Sequence, residues 1–165
     1  MQNDKLLDHF GRIHAEAVAA LSQHLITCRR HFDGDLDLLL VLMIVGERTF
    51  APKNAGDISF RDWAHTDVRS VKPEAINLQS IADYSGIPRE TVRRKLDILA
   101  RRGWIERDGR KFITVTEKAR EDLADLTHSN LRYLIKIQNA LADALGASPD
   151  AQSQPSHLYK GPPAA

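Results

Sequence analysis

The sequence predicts a mainly α-helical fold with one small β-hairpin, and three observations support this prediction. Apolar residues recur at helical spacing in two long stretches, residues 4–32 and 117–145. Between them, residues 77–103 carry the apolar spacing, caps and breakers of two short amphipathic helices. An Asp-Gly pair at 108–109, flanked by β-branched and aromatic residues, indicates a hairpin directly after these helices.

The composition is typical of a globular protein with a single domain, which we place at residues 1–145. Residues 146–165 are rich in Pro, Gly, Ser and Ala, and we expect them to form a disordered tail. No apolar run reaches the length of a membrane span, and the N-terminal residues show no signal-peptide pattern. The single cysteine cannot form an internal disulfide. We therefore expect a cytoplasmic protein that has no membrane partner.

Residues 77–103 have the pattern of a helix, a tight turn and a second helix. Asn77 can cap the first helix, and Gly86 can adopt the left-handed geometry that ends it. Pro88 is tolerated in the first turn of the second helix, which Gly103 should end. The apolar stripe of this second helix consists of Val92, Leu96, Leu99 and Ala100.

Two helices followed by a basic hairpin form a winged helix-turn-helix, and the charge distribution indicates double-stranded DNA as its partner. Residues 77–120 contain eleven Lys and Arg against six Asp and Glu, a local net charge of +5, whereas the whole chain carries +1. A helix fits the major groove, and cations on it and on the hairpin neutralise phosphates. The DNA-binding residues that we predict are Gln79, Ser80, Arg89, Glu90, Thr91, Arg93, Arg94, Lys95, Arg107, Arg110 and Lys111.

The role of each predicted DNA contact follows from its side-chain chemistry. Arg89 and Arg93 can read guanine edges, and Glu90 can accept a hydrogen bond from cytosine. Phosphate contacts suit the side chains of Gln79, Ser80, Thr91 and Lys95. Contacts of the hairpin to the backbone or the minor groove suit Arg107, Arg110 and Lys111. Alternatively, the arginines of the second helix form a solvated face, paired at helical spacing with the acidic residues Glu90 and Asp97.

The other elements are predicted from caps and breakers. Residues 36–48 are the most apolar stretch and predict a buried helix with Asp35 as its cap. Residues 51–74 have the composition of a loop, in which Ser59 can cap a short helix. Residues 75–76 are expected to pair with the second strand of the hairpin.

The stretches 4–32 and 117–145 carry more apolar surface than a small DNA-binding unit can cover. We therefore expect two long terminal helices that form a dimerisation layer. A two-fold dimer also suits DNA reading, because it places two recognition helices about one helical turn apart.

Two further features of the sequence are each open to two interpretations. Phe60 and Trp63 either line a ligand pocket or anchor the loop to the core. Cys28, which precedes three cationic or titratable residues at 29–31, is either a redox-sensitive thiol or a buried structural one.

No Cys/His set has metal-site spacing, and no nucleophile–base motif, Walker loop or GxGxxG is present. We expect no metal, no cofactor, no catalytic residue and no enzyme activity.

The runs LQSIADYSGIPRETVRRKLDILARRGWIERDGR and ITVTEKARE resemble winged-helix transcription regulators of the MarR type. This resemblance implies a homodimeric regulator on a near-palindromic operator, which a small-molecule effector or thiol oxidation often releases. We interpret the chain as a sequence-specific repressor. Two alternatives are a winged-helix module that docks an acidic protein partner, and a regulator whose main role is to sense a ligand or an oxidant.

Overall fold

The computed structural model describes residues 6–50, 59–67, 73–108 and 112–146. The helices are α1 (Phe10–His31), α2 (Leu36–Thr49), α3 (Phe60–His65), α4 (Leu78–Ser85), α5 (Arg89–Arg101), α6 (Glu117–Asp122) and α7 (Ala124–Leu145). The antiparallel strands β1 (Ile105–Arg107) and β2 (Ile113–Val115) pair with Ile105 opposite Val115. This mainly helical architecture with a two-stranded hairpin confirms the predicted fold class. Within the described ranges, every helix is too short or too polar to cross a membrane.

Side-chain caps begin four helices, three of them at the residues that the sequence predicts, Asp35, Ser59 and Asn77. The capping residues, each of which accepts a hydrogen bond from the backbone N–H three positions later, are Asp35, Ser59, Asn77 and Thr116. Gly86 and Gly103, both with φ of +72°, follow the ends of α4 and α5. Pro88 stands one position before α5, and its carbonyl accepts hydrogen bonds from the N–H groups of Thr91 and Val92.

The described residues form two compact units, one within residues 22–131 and the other from the described residues before 22 and after 131. In the first unit α2 is central, since it packs against α4, α5 and β2. The largest fully buried side chains of this unit are Phe32, Leu38, Ile81, Leu96 and Leu99. The ring of Phe32 also meets the ring of Trp104 edge-on, with centroids 5.6 Å apart.

The described part of the second unit consists mostly of the N-terminal portion of α1 and the C-terminal portion of α7. Both portions line a cleft of about 280 Å³ within this unit. Ala20, Ala140 and Ala144 are buried. Exposed apolar side chains in the same unit belong to Leu7, Phe10, Val18, Leu21, Leu134 and Ile135.

Two predicted elements need correction. The single helix predicted over residues 117–145 is interrupted at Leu123, whose φ of −107° and ψ of 18° lie outside helical geometry. Leu123 is buried in the core of the first unit, and neither Gly nor Pro marks this position in the sequence. The predicted strand at residues 75–76 is absent from the described sheet, although the Ile76 carbonyl accepts one hydrogen bond from Ile113 N at 3.1 Å.

Three predictions concern residues that are wholly or largely outside the described ranges. They are the disordered tail beyond residue 146, most of the loop at 51–74, and the hairpin tip at 109–111.

Candidate nucleic-acid interface

Helix α5 has one buried face and one exposed face, as its sequence periodicity predicts. The buried face, which packs against α2 and α4, consists of Val92, Leu96 and Leu99, each 0% exposed. Ala100, which the sequence predicts to belong to this stripe, is exposed at the end of the helix. The exposed face carries Arg89, Glu90, Arg93 and Arg94. Burial of the apolar stripe therefore fixes which charged side chains a DNA duplex could reach.

A groove of about 530 Å³ lies between α4, α5 and the hairpin. Gln79, Arg89 and Arg107 all line this groove, so the structure brings three predicted DNA contacts together. The Gln79 amide donates a hydrogen bond to Asp83 Oδ1 at 2.7 Å, which orients it. Because a guanidinium presents a fork of donors that matches phosphate oxygens, this groove is suited to a phosphate of the DNA backbone.

Arg93 is held by two carboxylates of its own helix. Its Nη1 lies 2.9 Å from Asp97 Oδ2, and its Nη2 lies 2.5 Å from Glu90 Oε1. The hydrogen bond from Arg93 holds the pKa of Glu90 below its usual value, so Glu90 is ionised at neutral pH. The solvated-face arrangement therefore occurs in the free chain. A base contact by Arg93 requires an exchange of these ion pairs.

Arg89 and Arg94 are held less tightly than Arg93. Among the described residues, neither forms an ion pair, and Arg94 only donates to Thr91 Oγ1 at 3.3 Å. Arg89 and Arg94 can thus turn toward a duplex without breaking a described ion pair.

Ser80, another predicted DNA contact, donates a hydrogen bond from its hydroxyl to Asn77 Oδ1 at 3.3 Å.

Lys95, for which the sequence predicts a phosphate contact, forms an ion pair within the fold of the free chain. Lys95 is 18% exposed and pairs with Asp35 Oδ2, the carboxylate that also caps α2. Lys95 directly precedes the buried Leu96, at the edge of the apolar stripe that faces α2. We therefore assign Lys95 to the junction of α2 and α5. The hairpin-tip residues Arg110 and Lys111 lie outside the described ranges, and their contacts stay predictions.

Cys28 is buried and lies beside His24. The Cys28 Sγ is 3.6 Å from His24 Nε2, and His24 Nδ1 is 3.1 Å from the Ser129 hydroxyl. Burial raises the pKa of the Cys28 thiol, which disfavours the thiolate that oxidants attack. These contacts support the interpretation of Cys28 as a structural thiol.

The segment around α3 holds two aromatic side chains with different surroundings. The Phe60 ring lies 5.8 Å from the Trp63 ring and 4.6 Å from that of His128. Trp63 also contacts Phe50 and lines an apolar cavity of about 300 Å³. Phe60 thus anchors the segment, and Trp63 both anchors it and borders a cavity. Sequence reasoning missed Arg120, which lines the same cavity, because nothing in the sequence signals its burial.

A small cluster of candidate metal ligands lies at the surface. His65, Glu117 and Glu121 each place one ligand atom within 4.8 Å of the others, and all three are exposed. Exposed acidic groups often occur together without a metal, so this cluster alone does not indicate a metal site. The expectation of no metal stays a prediction.

A buried apolar stripe, an exposed arginine-rich helix and an adjoining hairpin define a winged helix-turn-helix domain. Residues 67–126, which are 60 of the 165 residues, match the Crp-like helix-turn-helix domain family. The chain thus carries the DNA-binding domain of a transcription regulator. Searches of the curated proteins and of the solved structures each found no significant match. The family match does not test the resemblance to the MarR type.

Proposed function

We propose that the protein is a cytoplasmic, MarR-like transcription repressor that binds its operator as a homodimer and catalyses no reaction. The observation that carries this proposal is the exposed Arg89–Arg94 face of α5, backed by a fully buried apolar stripe. This arrangement presents a rigid cationic helix that can enter the major groove. Repression follows where the operator overlaps a promoter, because the bound protein then excludes other proteins from the same duplex.

Exposed apolar side chains on α1, just before it and on α7 support the homodimer. The residues concerned, all in the second unit and each at least 42% exposed, are Leu7, Phe10, Val18, Leu21, Leu134 and Ile135. Apolar surface of this extent is typical of a protein–protein interface. A two-fold dimer would read two half-sites about one helical turn apart, which favours a near-palindromic operator.

Selection of bound duplexes from a random pool, followed by titrations at several salt concentrations, tests the DNA contacts. Arg93→Ala should weaken binding to the selected site by about 1–3 kcal/mol and relax the preference at one base pair. Lys111→Ala should weaken binding to all duplexes and lower the salt slope by about 1. Arg132→Ala, which removes an exposed arginine of α7, is the matched control and should change neither quantity.

If Arg93→Ala and Lys111→Ala both bound DNA like the parent chain, the assignment of contacts would be wrong. Equal affinity of the parent chain for the selected and random duplexes would refute sequence-specific binding. In that case the protein-docking alternative would become the better explanation of the cationic helix.

Sedimentation equilibrium tests the homodimer. Leu134→Arg places a charge on an exposed apolar position of α7 and should shift the protein toward the monomer. Arg132→Glu changes the charge at an exposed position two residues before Leu134, which lies on another side of the same helix, and should leave the dimer intact. A parent chain that stays monomeric at micromolar concentration contradicts the homodimer.

The proposal includes a small-molecule effector that releases the protein from DNA. The cavity beside Trp63 supports this part of the proposal, because its lining is apolar and includes a single guanidinium group.

A further inference from the structure

Asp97 of α5 joins this helix to the hairpin by accepting hydrogen bonds from two arginines. Its Oδ2 accepts from Arg93 Nη1 at 2.9 Å, and its Oδ1 accepts from Arg107 Nη2 at 3.3 Å. Arg93 lies one turn before Asp97 on α5, whereas Arg107 ends β1, ten positions after Asp97. One carboxylate is thus shared between a predicted base contact and a predicted contact of the hairpin to DNA, with a separate oxygen for each.

The backbone fixes the positions of Asp97 and Arg107 relative to each other. Leu96, which precedes Asp97, is 0% exposed, and α5 packs against β1. Directly after Arg107 the hairpin is closed by two hydrogen bonds, from Asp108 N to the Phe112 carbonyl at 3.0 Å and from Phe112 N to Asp108 Oδ1 at 2.9 Å. The ion pair between α5 and the hairpin can therefore persist when other side chains of α5 move toward a duplex.

A DNA duplex can reach all three side chains of this connection, because those of Arg93, Arg107 and Asp97 are 49%, 43% and 35% exposed. A carboxylate that faces DNA phosphates is repelled unless a cation neutralises it. When Arg93 leaves Asp97 for a base edge, this carboxylate loses one of its two described cations. Arg107 still neutralises it, so the presence of Arg107 lowers the free energy that the base contact of Arg93 costs.

Glu90 provides a contrast, because its described contacts hold Arg93 and do not include Arg107. The Glu90 carboxylate accepts from Arg93 Nε at 3.0 and 3.1 Å. Glu90 and Asp97 lie about two turns apart, on the same face of α5. Removal of the Glu90 charge therefore loosens Arg93 without breaking the connection of α5 to the hairpin.

We propose that Asp97 makes the base contact of Arg93 depend on Arg107, so that an arginine of the hairpin contributes to sequence discrimination through α5. Asp97 is a positioning residue in this arrangement and touches no base. A contact of Arg107 with the DNA backbone alone would carry no direct sequence information. The inference rests on the proposed function, because it requires α5 to read a specific duplex, and it adds an energetic connection between helix and hairpin to that function.

A double-mutant cycle with Arg93→Ala and Arg107→Ala tests this connection. Fluorescence anisotropy at one salt concentration gives the affinities of each variant for the selected duplex and for a random duplex, and their ratio measures the preference. In the parent background, Arg93→Ala should reduce this preference at least about threefold more when Arg107 is present than when Arg107 is replaced by alanine.

Two substitutions on α5 distinguish the role of Asp97 from a general effect of charge. In the Asp97→Asn background, the effects of the two arginine substitutions should multiply to within about twofold. Glu90→Gln is the matched control, because it removes one acidic charge from the same face of α5, and it should keep the coupling of at least about threefold. All four side chains are at least 35% exposed, so these substitutions should leave the fold intact.

Three outcomes overturn the inference. They are arginine effects that multiply in the parent background, coupling that survives Asp97→Asn, and coupling that Glu90→Gln abolishes as completely as Asp97→Asn does. If the parent chain binds the selected and random duplexes equally, both the proposed function and the inference fail. If the parent chain prefers the selected duplex but the arginine effects multiply, only the inference fails.

Discussion

The hydroxyl of Thr49 joins the end of α2 to strand β2, and its removal should destabilise the attachment of the hairpin. Thr49 is fully buried, and its Oγ1 donates to the Val45 carbonyl at 2.8 Å and accepts from Val115 N at 3.1 Å. Thr49→Val preserves the shape of the side chain but deprives the Val115 N–H of its acceptor. A buried unsatisfied donor costs about 1–3 kcal/mol, so the free energy of unfolding should fall by about 2 kcal/mol.

Urea denaturation measures this change. With a slope of about 2 kcal/mol per molar, the midpoint of Thr49→Val should fall by about 1 M. Thr49→Ser is the matched control, because it keeps the hydroxyl and loses only one buried methyl group, worth about 1 kcal/mol. The expected order of stability is the parent chain, then Thr49→Ser, then Thr49→Val. A Thr49→Val variant at least as stable as Thr49→Ser would refute this account of the hairpin attachment.

Two further predictions follow from the partly buried groups Lys95 and His24. Lys95→Met should leave the DNA affinity and its dependence on salt unchanged, because Lys95 pairs with Asp35. A salt slope lowered by about 1 would instead support the predicted contact of Lys95 with a phosphate. Burial lowers the pKa of His24 from its ordinary value of 6.5, so the unfolded chain binds the proton first. Unfolding free energy measured against pH should therefore fall as the pH drops from 6.5 through the lowered pKa of His24. In His24→Gln this fall should be smaller, and an unchanged profile would exclude the contribution of His24.

Much of the fold could be predicted because helix ends depend on residues that are close together in the chain. Asp35, Asn77 and Thr116 cap helices through N–H groups three positions away, within the reach of simple sequence patterns. The two faces of α5 were equally predictable, since helical periodicity alone separates its apolar stripe from Arg89 and Arg94.

Contacts between residues that are distant in the chain could not be predicted in this way. Lys95 meets Asp35, which lies 60 positions earlier, so no local pattern indicates this ion pair. Arg120 reaches carbonyls 54 and 57 positions earlier, so its burial depends on how the segment of α3 packs. The break at Leu123 also has no local signal, because Leu123 is a buried core residue and neither Gly nor Pro marks this position in the sequence.

Asp97 pairs with Arg93 of the same helix and with Arg107 of β1, at 2.9 and 3.3 Å. If Arg93 reads a base as proposed, a nonspecific DNA sequence must displace Asp97 from Arg93 without offering the base edge that Arg93 recognises. The ion pairs of Asp97 therefore weaken binding of the protein to the large excess of nonspecific genomic sites. A larger fraction of the regulator then remains available to search for its operator, so an acidic residue beside the DNA-reading surface can improve discrimination in the cell.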